Sequence, residues 1–356
     1  MLDGAVAMSL NDHDIIRKID ESNMLGVMEK SSERLTPPAD IESTCRIHFE
    51  SPMNVVLAGV GGSGIVGEIL TDYCRDAVEV PTAVCRSVKI PKSVGKNTLF
   101  VAISYSGETI ETLHMFEQAS QAGAQLAVVT SGGKLFRAAQ EHRIPYAKTP
   151  AGMLPRVALP ELVAALTYVL GEVGLLDTHN LLESAATSIS DIINKVKATI
   201  SLGQNPAKQM AMALRGHLPI LVGREEDLSV LRRFKNELNE NSKVPAFFYT
   251  LPEAYHDDIE GLQELSQLTR PQPVFLRPHG ETGEEQRVNE KLVDLFSQHE
   301  YPQPLYFGGV GLDRLAWLLS AITLGDFASF YLAILRGVDP SKLSLIPSFR
   351  AIRGQV

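Results

Sequence analysis

Two segments rich in glycine and serine constrain the fold of this chain most. Residues 59–64 follow the apolar run 55–58, and residues 104–109 follow the apolar run 99–103. A helical pattern comes after each segment, so each one marks a turn between a buried strand and a helix. Such turns direct backbone N–H groups and hydroxyls toward a point above the sheet, which favours an anion such as phosphate. Two successive turns of this kind predict a phosphorylated small molecule held between them.

Short apolar runs alternate with helical patterns along most of the chain, which is typical of a doubly wound parallel sheet. The predicted strands are 54–60, 79–85, 97–105, 125–131, 144–148, 217–222, 244–251, 273–276 and 304–307. The predicted helices are 12–30, 64–74, 108–122, 133–141, 160–170, 226–240, 257–268, 283–299 and 311–336, the last open to a break at Gly325. The pattern predicts two α/β domains of the flavodoxin-like kind. Their predicted bounds are an N-terminal helical segment 1–50, a phosphate-binding domain 51–150, a helical linker 151–180 and a second domain 181–356 with C-terminal helices.

Composition argues against several classes of protein. The 356 residues are 44% apolar, which is enough for the cores of two domains, and the net charge of -9 argues against a nucleic-acid partner. The cysteines, Cys45, Cys74 and Cys85, lack metal-ligand spacing and predict a reduced, cytoplasmic protein. His279 and Glu281 are too few ligands for a metal site. We expect no signal peptide and no membrane partner, because no apolar run approaches membrane-spanning length.

The first turn has two other interpretations. Gly59, Gly61 and Gly64 satisfy the dinucleotide pattern G-x-G-x-x-G, which requires an acidic residue at the end of the next strand. Arg86 and Ser87 stand there instead, and Arg86 suits the 2′-phosphate of NADP, so an NADP-dependent oxidoreductase is one alternative. A tight turn that needs glycine only for packing is the other.

The second turn favours phosphate more strongly. Ser106 is a candidate N-cap for the following helix, and a cap explains one hydroxyl. It does not explain the hydroxyls of Ser104, Ser106 and Thr109 together with Gly107 within six positions. The second turn therefore predicts several hydroxyl partners for a single phosphate.

These two turns resemble those of the sugar isomerase (SIS) domain. From about residue 50 to 353 the chain resembles, more narrowly, the bifunctional phosphoglucose/phosphomannose isomerases. The resemblance rests on the turns, Arg156, Asn239-Glu240-Asn241, His256 and the segment Asp339-Pro340. It implies a phosphate held by Ser104, Ser106, Thr109 and Ser63, with the sugar close to the backbone of Gly61 and Gly62.

Glu240 is the candidate general base. It closes a predicted helix, where a carboxylate opposes the helix dipole at a cost of about 0.3–1 kcal/mol. An exposed glutamate at a helix end is the alternative from the residues alone, and Glu237 is the competing carboxylate one turn earlier. The resemblance implies that Glu240 moves a carbon-bound proton, which is a task for a general base.

The resemblance assigns roles to two further residues. His256 would open the sugar ring by moving a proton at the ring oxygen, which suits a group that titrates near neutral pH. In the family this histidine comes from the adjacent subunit, so a homodimer is expected. Arg156 would stabilise the negative charge of an enediolate. A solvated loop histidine and a surface linker charge are the alternatives.

The carboxyl end departs from the family pattern. An active-site lysine is expected after Asp339-Pro340, and Arg350 is the residue that aligns with it. Arginine keeps the charge but differs in shape and does not lose its proton. Lys342 is relevant if the alignment is shifted.

The resemblance implies interconversion of glucose 6-phosphate and mannose 6-phosphate with fructose 6-phosphate through a cis-enediolate. No redox cofactor is expected, because the hydrogen moves as a proton. The enediolate is planar, so reprotonation from either face gives the two epimeric aldoses. A non-catalytic SIS sensor of sugar phosphates and an aminosugar-phosphate isomerase are the further alternatives.

Overall fold

A computed structural model describes residues 10–35, 51–299 and 301–353 of the chain. Its N-terminal part holds two short helices, α1 (His13–Ile19) and α2 (Met24–Met28), where the sequence predicts a single helix. The break is at Asp20, whose carboxylate accepts N–H groups from Met24 at 2.8 Å and Leu25 at 2.9 Å. Cys45 and much of the predicted segment 1–50 lie outside the described residues.

The first domain is a five-stranded parallel sheet with strand order β2-β1-β3-β4-β5. Its strands are β1 (Asn54–Ala58), β2 (Thr82–Cys85), β3 (Thr98–Ser104), β4 (Gln125–Thr130) and β5 (Tyr146–Lys148). Its helices are α3 (Gly61–Ala77), α4 (Ile110–Gln121) and α5 (Gly133–Glu141). The chain changes direction across the sheet between the paired strands β1 and β3, so a crevice for ligands opens at their carboxyl ends. Both glycine- and serine-rich turns follow these two strands.

The second domain is a four-stranded parallel sheet with strand order β7-β6-β8-β9. Three helices connect the sheets: α6 (Leu159–Glu172), α7 (Thr178–Val196) and α8 (Pro206–Leu214). The strands are β6 (Leu218–Arg224), β7 (Phe247–Leu251), β8 (Pro271–Leu276) and β9 (Leu305–Phe307). The helices are α9 (Leu228–Glu240), α10 (Asp258–Leu268), α11 (Gly283–Gln298), α12 (Arg314–Leu335) and α13 (Leu345–Arg353). The predicted fold class and all nine strands are confirmed, whereas α7, α8 and α13 are additional to the prediction.

Helix α12 differs from two expectations drawn from the sequence. It runs unbroken through Gly325, where a Cβ would lie 3.1 Å from the Phe234 ring of α9, so the glycine allows close helix packing. Its 22 residues are long and apolar enough to cross a membrane, contrary to the expectation that no segment has that length. The most apolar segment of 18 residues in this helix is 94% buried inside the protein, as in the core helix of a globular fold.

One hydrophobic core extends through both domains. It includes Leu57 and Val101 of the first sheet, Leu221 of the second sheet, and Phe327 and Phe330 of α12. Because the core is shared, helix α9 of the second domain has a fixed position against α3 of the first.

Polar contacts between α3 and α9 add to this packing. The Asp72 carboxylate of α3 accepts the Ser229 N–H near the start of α9 at 2.8 Å. Burial raises the pKa of Asp72 to about 7, although its hydrogen bonds with Ser229 oppose the rise. Glu68 of α3 forms a 3.0 Å ion pair with Arg232 of α9.

Candidate active site

The two predicted turns lie next to each other at the carboxyl edge of the first sheet. Ser63 joins them, because its hydroxyl accepts the Tyr105 N–H at 3.2 Å. Gly61 has a φ of +59° at the start of α3, and Gly107 has a φ of +65° in the second turn. A Cβ at Gly107 would lie 1.8 Å from the Gly132 carbonyl oxygen, so only glycine fits there.

The second turn presents three hydroxyls beside the start of α4. Ser104 is buried and bonds the Thr109 hydroxyl at 3.1 Å, while Ser106 is exposed and accepts the Glu108 N–H at 3.2 Å. Thr109, rather than Ser106, precedes the helix, and its side chain bonds Ser104 instead of capping α4. No side chain of the described residues therefore caps the start of α4, and N–H groups at a helix start of this kind favour an anion such as phosphate.

Tyr105 connects this cradle to the loop that carries Arg156, a role that sequence reasoning missed. Its hydroxyl accepts the Met153 N–H and donates to the Pro150 carbonyl, both at 3.0 Å. The first turn touches the same loop, since a Cβ at Gly62 would lie 3.6 Å from the Pro155 carbonyl oxygen. Tyr105 stands inside the second turn, but its sequence position gives no signal for this contact.

The Arg156 guanidinium is 5% exposed and has fixed partners on two of its three nitrogens. Its Nε donates to Asn241 Oδ1 at 3.0 Å, and its Nη2 donates to the carbonyls of Pro340 at 2.6 Å and Ser341 at 2.9 Å. The remaining nitrogen, Nη1, lies 3.7 Å from Glu240 Oε2. A buried cation thus faces a carboxylate next to the first turn.

Glu240 and Glu237 occupy different environments. The Glu240 side chain is 31% exposed at the end of α9, where a ligand can reach it. Glu237 is 1% exposed and bonds Arg233 at 2.8 Å and the Asn241 amide at 2.9 Å. Burial raises the pKa of Glu237, although the Arg233 charge opposes the rise. Of the two carboxylates, Glu240 is the one accessible to substrate.

His256 lies far from Glu240 within one chain. Helix α9 runs antiparallel to β6 and β7, so Glu240 lies at the amino edge of the second sheet, whereas His256 follows the carboxyl end of β7. The five residues of β7 span about 16 Å at the usual rise per residue. His256 is exposed, and its backbone N–H donates to the Glu253 carbonyl at 2.8 Å.

The two candidate cations of the carboxyl end are placed differently. Arg350 is exposed on α13, and it has no ion pair among the described residues. Lys342 is engaged by Glu21 at 2.8 Å and by Asp339 at 3.4 Å. Neither residue contacts Arg156 or Glu240, but the segment just before α13 supplies the two carbonyls that hold Arg156.

The dinucleotide interpretation has no structural support. Arg86, the candidate partner for a 2′-phosphate, bonds Glu68 at 3.0 Å, and Glu68 is 4% exposed. A Cβ at Gly64 would lie 3.1 Å from the Arg86 guanidinium carbon, so this side chain packs under the first turn. The positive charge of Arg86 is neutralised there by Glu68, a residue of α3.

A second crevice, of about 560 Å³, lies at the carboxyl edge of the second sheet. Its arginines are already neutralised. Arg224 bonds Asp227 at 3.1 Å and Glu285 at 3.2 Å, and Arg314 lies 2.7 Å from Asp227. No group of three or more candidate metal ligands occurs within the described residues.

Comparisons with known proteins show the family to which the chain belongs. Residues 203–352 match the family model of the bacterial phospho-glucose isomerase C-terminal SIS domain. A bifunctional phosphoglucose/phosphomannose isomerase from Caldicellulosiruptor bescii is 30% identical over 82% of this chain and 87% of its own length. The chain belongs to the bifunctional phosphoglucose/phosphomannose isomerase family. This membership confirms the resemblance inferred from the two turns, Arg156, Glu240 and His256.

Two further proteins are similar to this family member. A D-glucosamine-6-phosphate 4-epimerase from Sulfolobus acidocaldarius is 33% identical over 57% of this chain and 61% of its own length. A glucose-6-phosphate isomerase-like protein from Thermus thermophilus has the same fold, with a TM-score of 0.61 and 16% identity. That similarity covers 96% of this chain and 99% of the other.

Proposed function

We propose that this protein interconverts fructose 6-phosphate with glucose 6-phosphate and mannose 6-phosphate. The observation that carries the proposal is the buried Arg156 guanidinium, which lies 3.7 Å from the accessible Glu240 carboxylate and next to the first turn. A cradle for one phosphate, a carboxylate base and a fixed cation are the groups that an aldose–ketose isomerisation needs.

The phosphate binds in the cradle of hydroxyls and N–H groups formed by Ser63, Ser104, Ser106 and Thr109, with the sugar passing over Gly61 and Gly62. Glu240 takes the proton from C1 of the ketose and returns it to C2, so the C1–H bond breaks and a C2–H bond forms. A second proton passes from O1 to O2, so that C1 becomes the carbonyl carbon and C2 carries the hydroxyl. Arg156 stabilises the oxyanion of the enediolate through Nη1, the nitrogen that has no hydrogen-bonded partner among the described residues. Delivery to either face of C2 gives the two aldoses.

A second copy of the chain supplies His256 to this site in our proposal. The support is topological, because Glu240 and His256 of one chain lie at opposite edges of the second sheet. We further propose that Arg350 adds a cation when α13 closes on the substrate. The support is that the carbonyls of Pro340 and Ser341 accept hydrogen bonds from Arg156 and that α13 begins four residues after Ser341.

We also propose the domain division 1–50, 51–150, 151–180 and 181–356, with Arg156 in the linker between two functional units. A cytoplasmic location is part of the proposal. Cys74 and Cys85 are free and buried, as in proteins of a reducing compartment.

The decisive assay adds fructose 6-phosphate to chelator-treated protein and measures both aldose products with coupled dehydrogenases. We expect both glucose 6-phosphate and mannose 6-phosphate to form. Binding of fructose 6-phosphate without turnover would support a sensor instead. Ammonia release or epimerisation of glucosamine 6-phosphate, without activity on fructose 6-phosphate, would identify an aminosugar enzyme.

A mixing experiment tests the shared site. Glu240→Gln and His256→Ala proteins, each inactive alone, are combined under subunit exchange. A hybrid dimer contains one site with both native groups, so activity should return to a fraction of wild type. Persistent inactivity of a mixture that has demonstrably exchanged subunits would contradict the shared site.

A further inference from the structure

Two buried arginines beside the candidate site, Arg156 and Arg233, have different kinds of partners. Arg233 is paired with two carboxylates, Glu237 at 2.8 Å and Asp326 at 2.8 Å, so its charge is neutralised. The hydrogen-bond partners of Arg156 are an amide oxygen and two backbone carbonyls, all neutral. The positive charge of Arg156 is therefore held in place without being cancelled by these partners.

Asn241 supplies the amide in this arrangement, and its orientation is fixed by its other contacts. The residue is fully buried, and its Nδ2 donates to Glu237 Oε2 at 2.9 Å and to Ser329 Oγ at 3.0 Å. Ser329 in turn donates its hydroxyl proton to the Asp326 carbonyl at 2.7 Å, so it must accept from Asn241. Both amide protons are used on one side, which leaves Oδ1 directed at Arg156 Nε.

We infer that Asn241 is a positioning residue for the proposed isomerisation, because it fixes the Arg156 guanidinium through a neutral hydrogen bond and so keeps Nη1 facing Glu240. The inference rests on the proposed function. Asn241 sits directly after Glu240 at the end of α9, so one short segment places both the base and the holder of the cation. A carboxylate in place of this amide would form an ion pair with Arg156 and weaken the stabilisation of an enediolate.

The first test compares Asn241→Asp, which keeps the shape of the side chain, with Asn241→Ala. With fructose 6-phosphate as substrate we expect kcat to fall about 10–100-fold, as for other preorganised electrostatic groups. KM and inhibition by inorganic phosphate should change less than about threefold, because the phosphate cradle does not contact Asn241. Asn194→Asp, an exposed change on α7 outside the proposed site, is the matched control and should keep wild-type kcat.

A double-variant cycle separates positioning from a general structural effect. If Asn241 acts through Arg156, adding Asn241→Ala to Arg156→Ala should lower the residual kcat less than about threefold. If one substitution at 241 prevents folding, as seen in thermal unfolding, the other enters the cycle. Wild-type kcat in a folded Asn241 variant, or a full effect in the Arg156→Ala background, would overturn the inference. An inactive wild-type protein would instead overturn the proposed function.

Discussion

The carboxyl edges of the two sheets have the same strand topology but differ in whether their hydrogen-bond donors are accessible to a ligand. At the first edge, the turns after β1 and β3 present short hydroxyl side chains, glycines and the N–H groups at the start of α4. At the second edge, β6 ends at Arg224, whose guanidinium is bonded to Asp227 and Glu285. Donors are accessible to a ligand at the first edge, whereas at the second they are consumed within the protein.

This difference shows that the fold provides a crevice but does not decide its use. The second domain contributes to the site through its other edge, where α9 ends at Glu240. In the proposed function, the substrate is therefore held at the carboxyl edge of one sheet and is reached by a base from the amino edge of the next. Substitutions of single residues test this difference between the two edges.

The largest expected effect is on the base. Glu240→Gln removes the carboxylate but keeps its shape, so kcat should fall at least about a hundredfold, the usual contribution of a general base. Glu284→Gln, an exposed change beside the second crevice, is the matched control and should leave kcat unchanged. Steady-state kinetics with fructose 6-phosphate measure both. Equal losses in the two variants would show that the second edge takes part in catalysis.

The next effect concerns the contact that holds α9 against the first domain. Burial raises the pKa of Asp72 from 3.8 to about 7, so the folded state binds this proton more tightly than the unfolded chain does. The stability from this group is complete below about pH 4 and is lost as pH rises toward 7, at up to about 1.4 kcal/mol per pH unit.

Asp72→Asn keeps an acceptor for the Ser229 N–H and removes the titration. From pH 5 to pH 7, the free energy of unfolding of wild type should therefore fall by on the order of 2 kcal/mol more than that of Asp72→Asn. Urea unfolding at pH 5, 6, 7 and 8 measures the difference. Asp76→Asn, exposed one turn later in α3, should keep the wild-type pH dependence. Parallel curves for wild type and Asp72→Asn would contradict the assignment.

Much of this fold was predictable from sequence because buried parallel strands are short apolar runs between turn residues. Strand β3 is such a run, and all of its seven residues are buried. Helix α7 was missed although Leu182, Ala185, Ile189 and Val196 follow helical spacing and are buried. The burial of α12 was beyond prediction from its composition, because a core helix and a membrane helix have the same composition.

The candidate site likewise has one part that local sequence motifs predict and another part that they do not. Its hydroxyls and glycines form local motifs, so their proximity to one another follows from adjacent strands. Asn241 has no such signal, because its role depends on Arg156, which lies 85 residues away in the chain, and on Ser329, which lies 88 residues away. Contacts of this kind depend on how α9 and α12 pack, and no local pattern records them.

A smaller effect is expected at the first edge. Ser106→Ala removes one hydroxyl that faces the proposed phosphate. Hydrogen bonds to charged groups are worth about 1.5–3 kcal/mol, so KM for fructose 6-phosphate should rise at least about tenfold. Because Ser106 is exposed, the free energy of unfolding should stay within about 0.5 kcal/mol of wild type. An unchanged KM and an unchanged inhibition constant for inorganic phosphate would remove Ser106 from the phosphate site.

The smallest expected effect is at the second edge, where a hydroxyl serves the protein instead of a ligand. Thr282 caps α11, since its hydroxyl accepts the Glu285 N–H at 3.2 Å and Glu285 accepts the Thr282 N–H at 2.7 Å. Thr282→Ala should therefore lower the free energy of unfolding by about 1 kcal/mol and leave KM unchanged. Urea unfolding and steady-state kinetics on the same preparation measure both quantities. A raised KM with unchanged stability would mean that the second edge also binds substrate, and the contrast between the two edges would fail.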